Sequence, residues 1–252
     1  MSPTSIELGL GLLSIGRHWG VRNAPPPPHE VALRLLQRAI ASNIRYFDTA
    51  PAYGDSEKIL GTFLSELPKK ERNQIIILTK VGELWQSENR TTQVCHKADK
   101  MRRSIDLSLE RLTKIDVLQI HKTNPEVLRS TDLLKSIQYA KDLGISSFGA
   151  SVSDLPTAEL AIQTGLFEWL QFPFNANNII FSNIFHKLAK NNMKALINRP
   201  LAMGQLAAPD QIKRAFAFIL NSPLPTGSVI LTGTGSPMHL QENIDAFSRL
   251  TS

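Results

Sequence analysis

Four residues in the first half of the chain have types and spacing suited to proton transfer on a small molecule. They are Asp48 and Tyr53 in "YFDTAPAYGDSE", Lys80 in "ILTKVG" and His121 in "VLQIHK". A phenol titrates at about pH 10, and a neighbouring ammonium stabilises the phenolate. Lys80 beside Tyr53 is therefore expected to lower the phenol pKa towards the working range and make it a better proton donor to a substrate oxygen. Asp48 would keep Lys80 protonated by ion pairing, and His121 would orient a carbonyl by a hydrogen bond. Singly, each has a plainer use: a turn cap, a lysine at a rim, a satisfied core histidine, a ring packed under a loop. Together, at the ends of successive strands, they outweigh those uses. No metal is required, since neither an HExxH nor a paired CxxC motif is present.

The elements that must carry these residues are legible as alternating apolar runs and helical periods. The strand candidates are "IELGLGLL", "RYFDTA", "QIIILTKVG", "DVLQIHK", "SSFGASV", "EWLQFPFN", "KALINRPL" and "GSVILTGTG". They are β-branched and not half polar, as strands buried on both faces of a parallel sheet are. Each is followed by a helical stretch, from "HEVALRLLQRAIASN" to "MHLQENIDAFSRL". Eight such units predict an α/β fold, a closed (β/α)8 TIM barrel, over residues 1–252 as one domain. Active sites in such barrels sit at the carboxyl ends of the strands, where Asp48, Lys80 and His121 fall.

Composition narrows the class of partner. The net charge of +6 comes mostly from cations interleaved with acids, as on solvated helix faces; only "HKADKMRR" is locally basic. No aromatic residues alternate with it as a stacking platform, so nucleic-acid binding is not expected. There is no uninterrupted apolar span of membrane length and no basic region before the first apolar stretch, so a cytoplasmic protein without membrane contact is expected. Cys95 is the single cysteine, which agrees with a reducing compartment. Nothing here fixes an oligomeric state.

"YFDTAPAYGDSEKILG", "ILTKVG" and "VLQIHK" resemble the signatures of the aldo-keto reductases, (β/α)8 barrels that reduce carbonyls with a nicotinamide cofactor. The resemblance runs through nearly the whole chain. It places the family's catalytic tetrad on Asp48, Tyr53, Lys80 and His121, with the tyrosine as general acid, and implies a small-molecule aldehyde or ketone as substrate. It also implies NADP(H) or NAD(H) as cofactor. Ser151 and Gln171 fall where the family contacts the nicotinamide carboxamide. Pro200, Leu201 and Gly204 lie in a segment similar to its phosphate-contacting loop. Gly233, Thr234, Gly235, Ser236 and Asn243 lie in one similar to its last cofactor segment. The sequence departs from the family at Val152, where many members have Asn, and at Asn198, where many stack an aromatic ring. At Gly235 and His239 many NADPH-using members carry Arg or Lys, so the resemblance leaves the choice of cofactor open.

Independently of family, the Gly-rich turn "GTGS" opening the last helix would present N–H groups to a phosphate, or be a plain tight turn. "GLGLLSIG" is not a dinucleotide fingerprint, because Ser14 stands where the third glycine is required. Trp19 and Trp85, in loops after the first and third strands, are candidates for the substrate pocket. Two other readings stay open. One is a nicotinamide-binding regulatory protein with little turnover, a use to which this barrel has been put. The other is an isomerase or lyase using Lys80 as a Schiff-base amine.

Overall fold

The computed structural model describes residues 6–21 and 23–251. Its strands are β1 (Glu7–Gly11), β2 (Tyr46–Asp48), β3 (Ile76–Val81), β4 (Glu83–Gln86), β5 (Thr91–Val94), β6 (Val117–Ile120), β7 (Ser147–Ser151), β8 (Trp169–Pro173), β9 (Lys194–Asn198) and β10 (Val229–Gly233). The helices are α1 (Leu13–Gly16), α2 (His29–Ala41), α3 (Ser56–Glu66), α4 (Lys69–Arg72), α5 (Ala98–Leu112), α6 (Pro125–Leu128), α7 (Thr131–Asp142), α8 (Leu155–Thr164), α9 (Phe185–Lys190), α10 (Pro209–Leu220) and α11 (Pro237–Thr251). Eight strands, all parallel, close into a barrel in the order β1-β10-β9-β8-β7-β6-β3-β2. These are the eight runs expected from the sequence. No helix among the described residues is long and apolar enough to cross a membrane.

The β4–β5 hairpin was not expected; it pairs antiparallel outside the barrel. Its strands are four residues each, and "TTQV" is largely exposed, so they carry too little apolar alternation to stand out.

Helix α2 illustrates how the outer layer forms. Pro28 precedes its first turn, and Ala32, Leu35, Leu36 and Ala39 recur at helical spacing on the face that is fully buried. Burying each leucine is worth about 1.5–3 kcal/mol. Helix α8 starts where the Asp154 carboxylate accepts from the Thr157 N–H at 2.8 Å, and stops at Gly165, whose φ of 65° few other residues adopt.

Inside the barrel the side chains form layers. Tyr46, Leu78, Val117, Trp169, Leu196, Val229 and Leu231 make one apolar cluster. Strand side chains repeat with period two, so the next residues to face inward are Asp48, Lys80, Gln119, Gln171, Asn198 and Gly233. The candidate chemistry is thus the layer directly above an apolar plug.

Candidate active site

Asp48 is the hub of that upper layer. Lys80 Nζ donates to both of its oxygens at 2.7 Å and to the Thr49 carbonyl at 2.9 Å. Gln119 and Gln171 add side-chain donors to Asp48 Oδ1 at 2.8 and 3.0 Å. Lys80 is fully buried and Asp48 is 4% exposed. Burial works against the Lys80 charge, but Asp48 and Tyr53 together outweigh it, so its pKa lies above the ordinary lysine value. Gln119 was not singled out in the sequence, although its spacing from Val117 places it in the same layer.

Tyr53 sits in the turn that follows β2, where its N–H donates to the Ala50 carbonyl at 2.9 Å. Two glycines let other chain segments press against this turn. A Cβ on Gly16 would lie 1.7 Å from the Tyr53 carbonyl oxygen, and Gly54 has a φ of 61° with Gly16 behind it. The Tyr53 ring lies with its centroid 4.8 Å from Lys80 Nζ and meets the His121 ring edge-on at 5.8 Å. The expected lowering of its pKa does not occur. Desolvation raises the phenol and is the largest influence; Lys80 opposes it, while Asp48 and Glu83 add to the rise. Tyr53 is therefore a protonated donor over the ordinary pH range.

His121 follows the end of β6 and is 8% exposed. Its Nδ1 lies 3.0 Å from Glu83 Oε2, in an oblique approach that makes the pair an electrostatic contact rather than a well-directed hydrogen bond. Glu83, which the sequence reading missed, reaches this place because Gly82 turns the chain at a φ of 104°. Behind Gly82, His96 Nε2 is 2.7 Å from the His121 carbonyl oxygen, which ties the hairpin to β6.

Burial lowers the His121 pKa, and the charges of Lys80 and Lys122 lower it further against the pull of Glu83. Burial alone would raise Glu83, but His121, Thr92 and Lys122 override it and hold the carboxyl at about 2. Both shifts make acid destabilising. The unfolded chain takes up the His121 proton first, from pH 6.5 downward. Glu83 gives stability that is present above pH 4.5 and lost as pH falls towards about 2. Urea unfolding midpoints measured across a pH series are expected to fall on both limbs. Glu83→Gln is expected to remove the limb below pH 4.5 and leave the one starting at 6.5.

Above this floor opens a cavity of about 700 Å³. Asp48, Tyr53, His121 and Glu83 line it, as do Trp19, Ser151, Gln171, Pro200, Leu201, Gly204, Gly233, Thr234 and Asn243 among the residues expected from the sequence. Lys80 lies beneath, as Asp48's partner. Gly235 and Ser236 adjoin the cavity at the start of α11, where the Ser236 N–H donates to Thr234 Oγ1 at 3.1 Å. A Cβ on Gly235 would stand 3.1 Å from Pro27, so the proline run packs on this turn and leaves little room for a side chain there. Trp85 is the exception to the expected grouping. It lines a separate cavity of about 360 Å³ with Lys100 and Arg103, and Arg17 of the main cavity stacks on it at 5.2 Å. Across the mouth, the Val21 N–H donates to the Met203 carbonyl at 3.2 Å and joins the β1–α2 and β9–α10 loops.

The wall formed by β7 to β10 suits a nicotinamide dinucleotide. Asn198 Oδ1, in the cavity wall, is buried without a hydrogen-bond partner, and so is available to an amide donor. Asn175 Nδ2 donates to the Arg199 carbonyl at 2.8 Å and fixes the loop that carries Pro200 and Leu201. Among the described residues no cluster of His, Cys, Asp or Glu is placed to hold a metal ion.

Comparison with known proteins agrees with this arrangement. The family model described as "Aldo/keto reductase family" matches residues 7–215. The chain is 28% identical over 190 residues to the aldo-keto reductase YhdN of Bacillus subtilis, covering 69% of this chain and 53% of that protein. It is 26% identical to the D-threo-aldose 1-dehydrogenase of a Pseudomonas species, covering 96% of this chain and 92% of the relative. The L-galactose dehydrogenase of Arabidopsis thaliana is 33% identical over 45% of this chain and 33% of its own length. The chain thus spans about half, or less, of the length of several curated relatives that it matches. Among solved structures, the glycerol dehydrogenase AKR11B4 of Gluconobacter oxydans superposes with a TM-score of 0.77 at 21% identity, over 98% of this chain and 91% of that one, a likeness of fold. A barrel of eight parallel strands, a buried Asp–Lys pair under a tyrosine and a histidine, and a family match through most of the sequence lead to one assignment: the chain belongs to the aldo/keto reductase family.

Proposed function

We propose that this chain is an NAD(P)(H)-dependent oxidoreductase that interconverts an aldehyde or ketone with the corresponding alcohol. The observation that carries the reading is the buried Lys80–Asp48 pair held under Tyr53 and His121 at the floor of the main cavity. A bound nicotinamide would supply or accept the hydride, with Ser151, Gln171, Asn198, the Pro200–Gly204 loop and the Gly233–Asn243 segment as the residues to hold it. Tyr53, protonated and beside the Lys80 ammonium, donates a proton to the carbonyl oxygen during reduction. Lys80 stabilises the phenolate that this leaves, and Asp48 holds the Lys80 charge in place. Glu83, 3.0 Å from Nδ1, favours the His121 tautomer that carries its proton there. The neutral ring then offers Nε2 as an acceptor to a substrate hydroxyl, and the protonated ring offers a donor to a carbonyl.

Several relatives carry the names of dehydrogenases acting on sugars, which supports redox chemistry between hydroxyl and carbonyl groups. The Schiff-base alternative is disfavoured by Lys80 itself. It is fully buried, paired with both Asp48 oxygens and held charged, whereas a nucleophilic amine must be neutral. The decisive experiment is a calorimetric titration of the purified protein with NADPH and with NADH, followed by turnover on a panel of carbonyls. Binding of one cofactor together with turnover is expected. Binding without turnover on any carbonyl would move the protein to the regulatory reading, and no binding of either would remove the redox reading altogether.

A further inference from the structure

Among the described residues, three Arg or Lys side chains line the main cavity, Arg199 in the loop after β9 and Arg17 and Lys122 across from it. In barrel order, β7 to β10 and the loops after them carry the proposed cofactor segments, and β1, β2, β3 and β6 form the opposite half. Arg17 follows α1 at the end of β1, yet its guanidinium reaches past β2 to stack on Trp85, in the hairpin after β3. Lys122 follows His121 at the end of β6 and lines the same cavity. Among the described residues, neither Arg17 nor Lys122 has a carboxylate within ion-pair distance. Of the acids in this half, Asp48 is paired with Lys80, and Glu83 lies against His121 and feels the charge of Lys122.

Arg17 has a further mark of an unmet partner. Its Nε is buried and has no hydrogen-bond acceptor. Stacking on an indole fixes the plane of a guanidinium but satisfies none of its N–H groups, so Arg17 is oriented and left with donors to spare. A planar fork of donors beside an acid–base pair suits an oxyanion that the reacting molecule itself brings.

We propose that the substrate carries an anionic group, a carboxylate or phosphate, on the same small molecule as its carbonyl or hydroxyl carbon. Arg17, held by Trp85, takes this group, and Lys122 adds positive charge to the same cavity. The inference rests on the redox reading of the cavity and goes beyond it by naming the substrate class. It also gives Trp85 a use other than the one expected from the sequence, as a support for a binding residue.

The test compares matched pairs of carbonyls that differ in charge: succinic semialdehyde against butanal for carboxylate, and glyceraldehyde 3-phosphate against glyceraldehyde for phosphate. The protein is expected to show kcat/KM about 10- to 100-fold higher for the anionic member of at least one pair, the scale of one charge-assisted contact. The pair that shows it identifies the anion. Arg17→Met is expected to abolish that preference by raising KM for the anion while leaving the neutral aldehyde and NADPH affinity unchanged. Arg17→Lys is expected to restore part of it. Equal use of charged and neutral members by the wild type would overturn the proposal while leaving the redox reading intact. So would a loss in Arg17→Met that falls on both members alike, or on NADPH affinity, since the residue would then serve the fold or the cofactor. A readout without turnover is calorimetric binding of malonate and of inorganic phosphate. One of the two is expected to bind the wild type and to be lost in Arg17→Met; an unchanged affinity, or no binding of either, would also sink the idea.

Discussion

Replacing Tyr53 by Phe is expected to reduce carbonyl turnover by about 10²–10⁴-fold, the usual contribution of a positioned general acid, and to leave cofactor affinity unchanged. The variant keeps the ring that meets His121 edge-on at 5.8 Å and removes only the hydroxyl. The loss belongs in kcat and kcat/KM together, because the proton is transferred only in the transition state. The phenol pKa is raised, so no fall in reduction from phenol ionisation is expected near neutral pH. Steady-state kinetics with the better cofactor, alongside calorimetric affinity, checks both parts. Unaltered turnover in Tyr53→Phe would take the residue out of the acid role.

The largest expected effect on stability is that of Lys80→Met. Nζ makes three hydrogen bonds in full burial, and its removal leaves the Asp48 carboxylate, among the described residues, with the Gln119 and Gln171 amides as donors. Stranding one partner of a buried pair costs about 3–5 kcal/mol, a large part of the stability of an ordinary domain. Urea unfolding monitored by far-UV circular dichroism would measure it. Adding Asp48→Asn is expected to recover part of the loss, because the stranded charge is gone, so the double variant should be less destabilised than the two single costs summed. There is an alkaline signature as well. The folded pKa of Lys80 lies above the ordinary lysine value of 10.5, so its contribution is present below that pH and is lost as pH rises through the folded value. Lys80→Met should lack this alkaline limb. A wild-type unfolding midpoint matched by Lys80→Met would mean that the pair contributes nothing net.

The barrel was legible because eight buried, β-branched runs alternate with helical periods, and the grouping of Asp48, Tyr53, Lys80 and His121 because three of them stand at successive strand ends. What escaped the sequence depends on quantities that it does not state. The direction of the Tyr53 shift depends on how far desolvation outweighs a nearby cation, which is set by the depth of burial. Glu83 lies beyond the strand signal, and its contact with His121 follows from a left-handed turn at Gly82. Gln119 could have been found by counting in twos from Val117, as Asp48 follows from Tyr46 and Lys80 from Leu78. Trp85 was placed in the right loop and the wrong cavity, since a loop position does not say which way a hairpin folds.

The hub at Asp48 gathers side chains from β3, β6 and β8 onto one carboxylate borne by β2. The carboxylate thus ties β8 to β2, β3 and β6 although β7 stands between them in the sheet, so the proposed proton-transfer site is itself a course in the masonry of the barrel. Variation that alters the floor must contend with the integrity of the whole fold, whereas Trp19, Arg17 and the hairpin take no part in the Asp48 hub. The molecule is in that sense divided into a floor locked into the barrel and a rim that stands outside that lock.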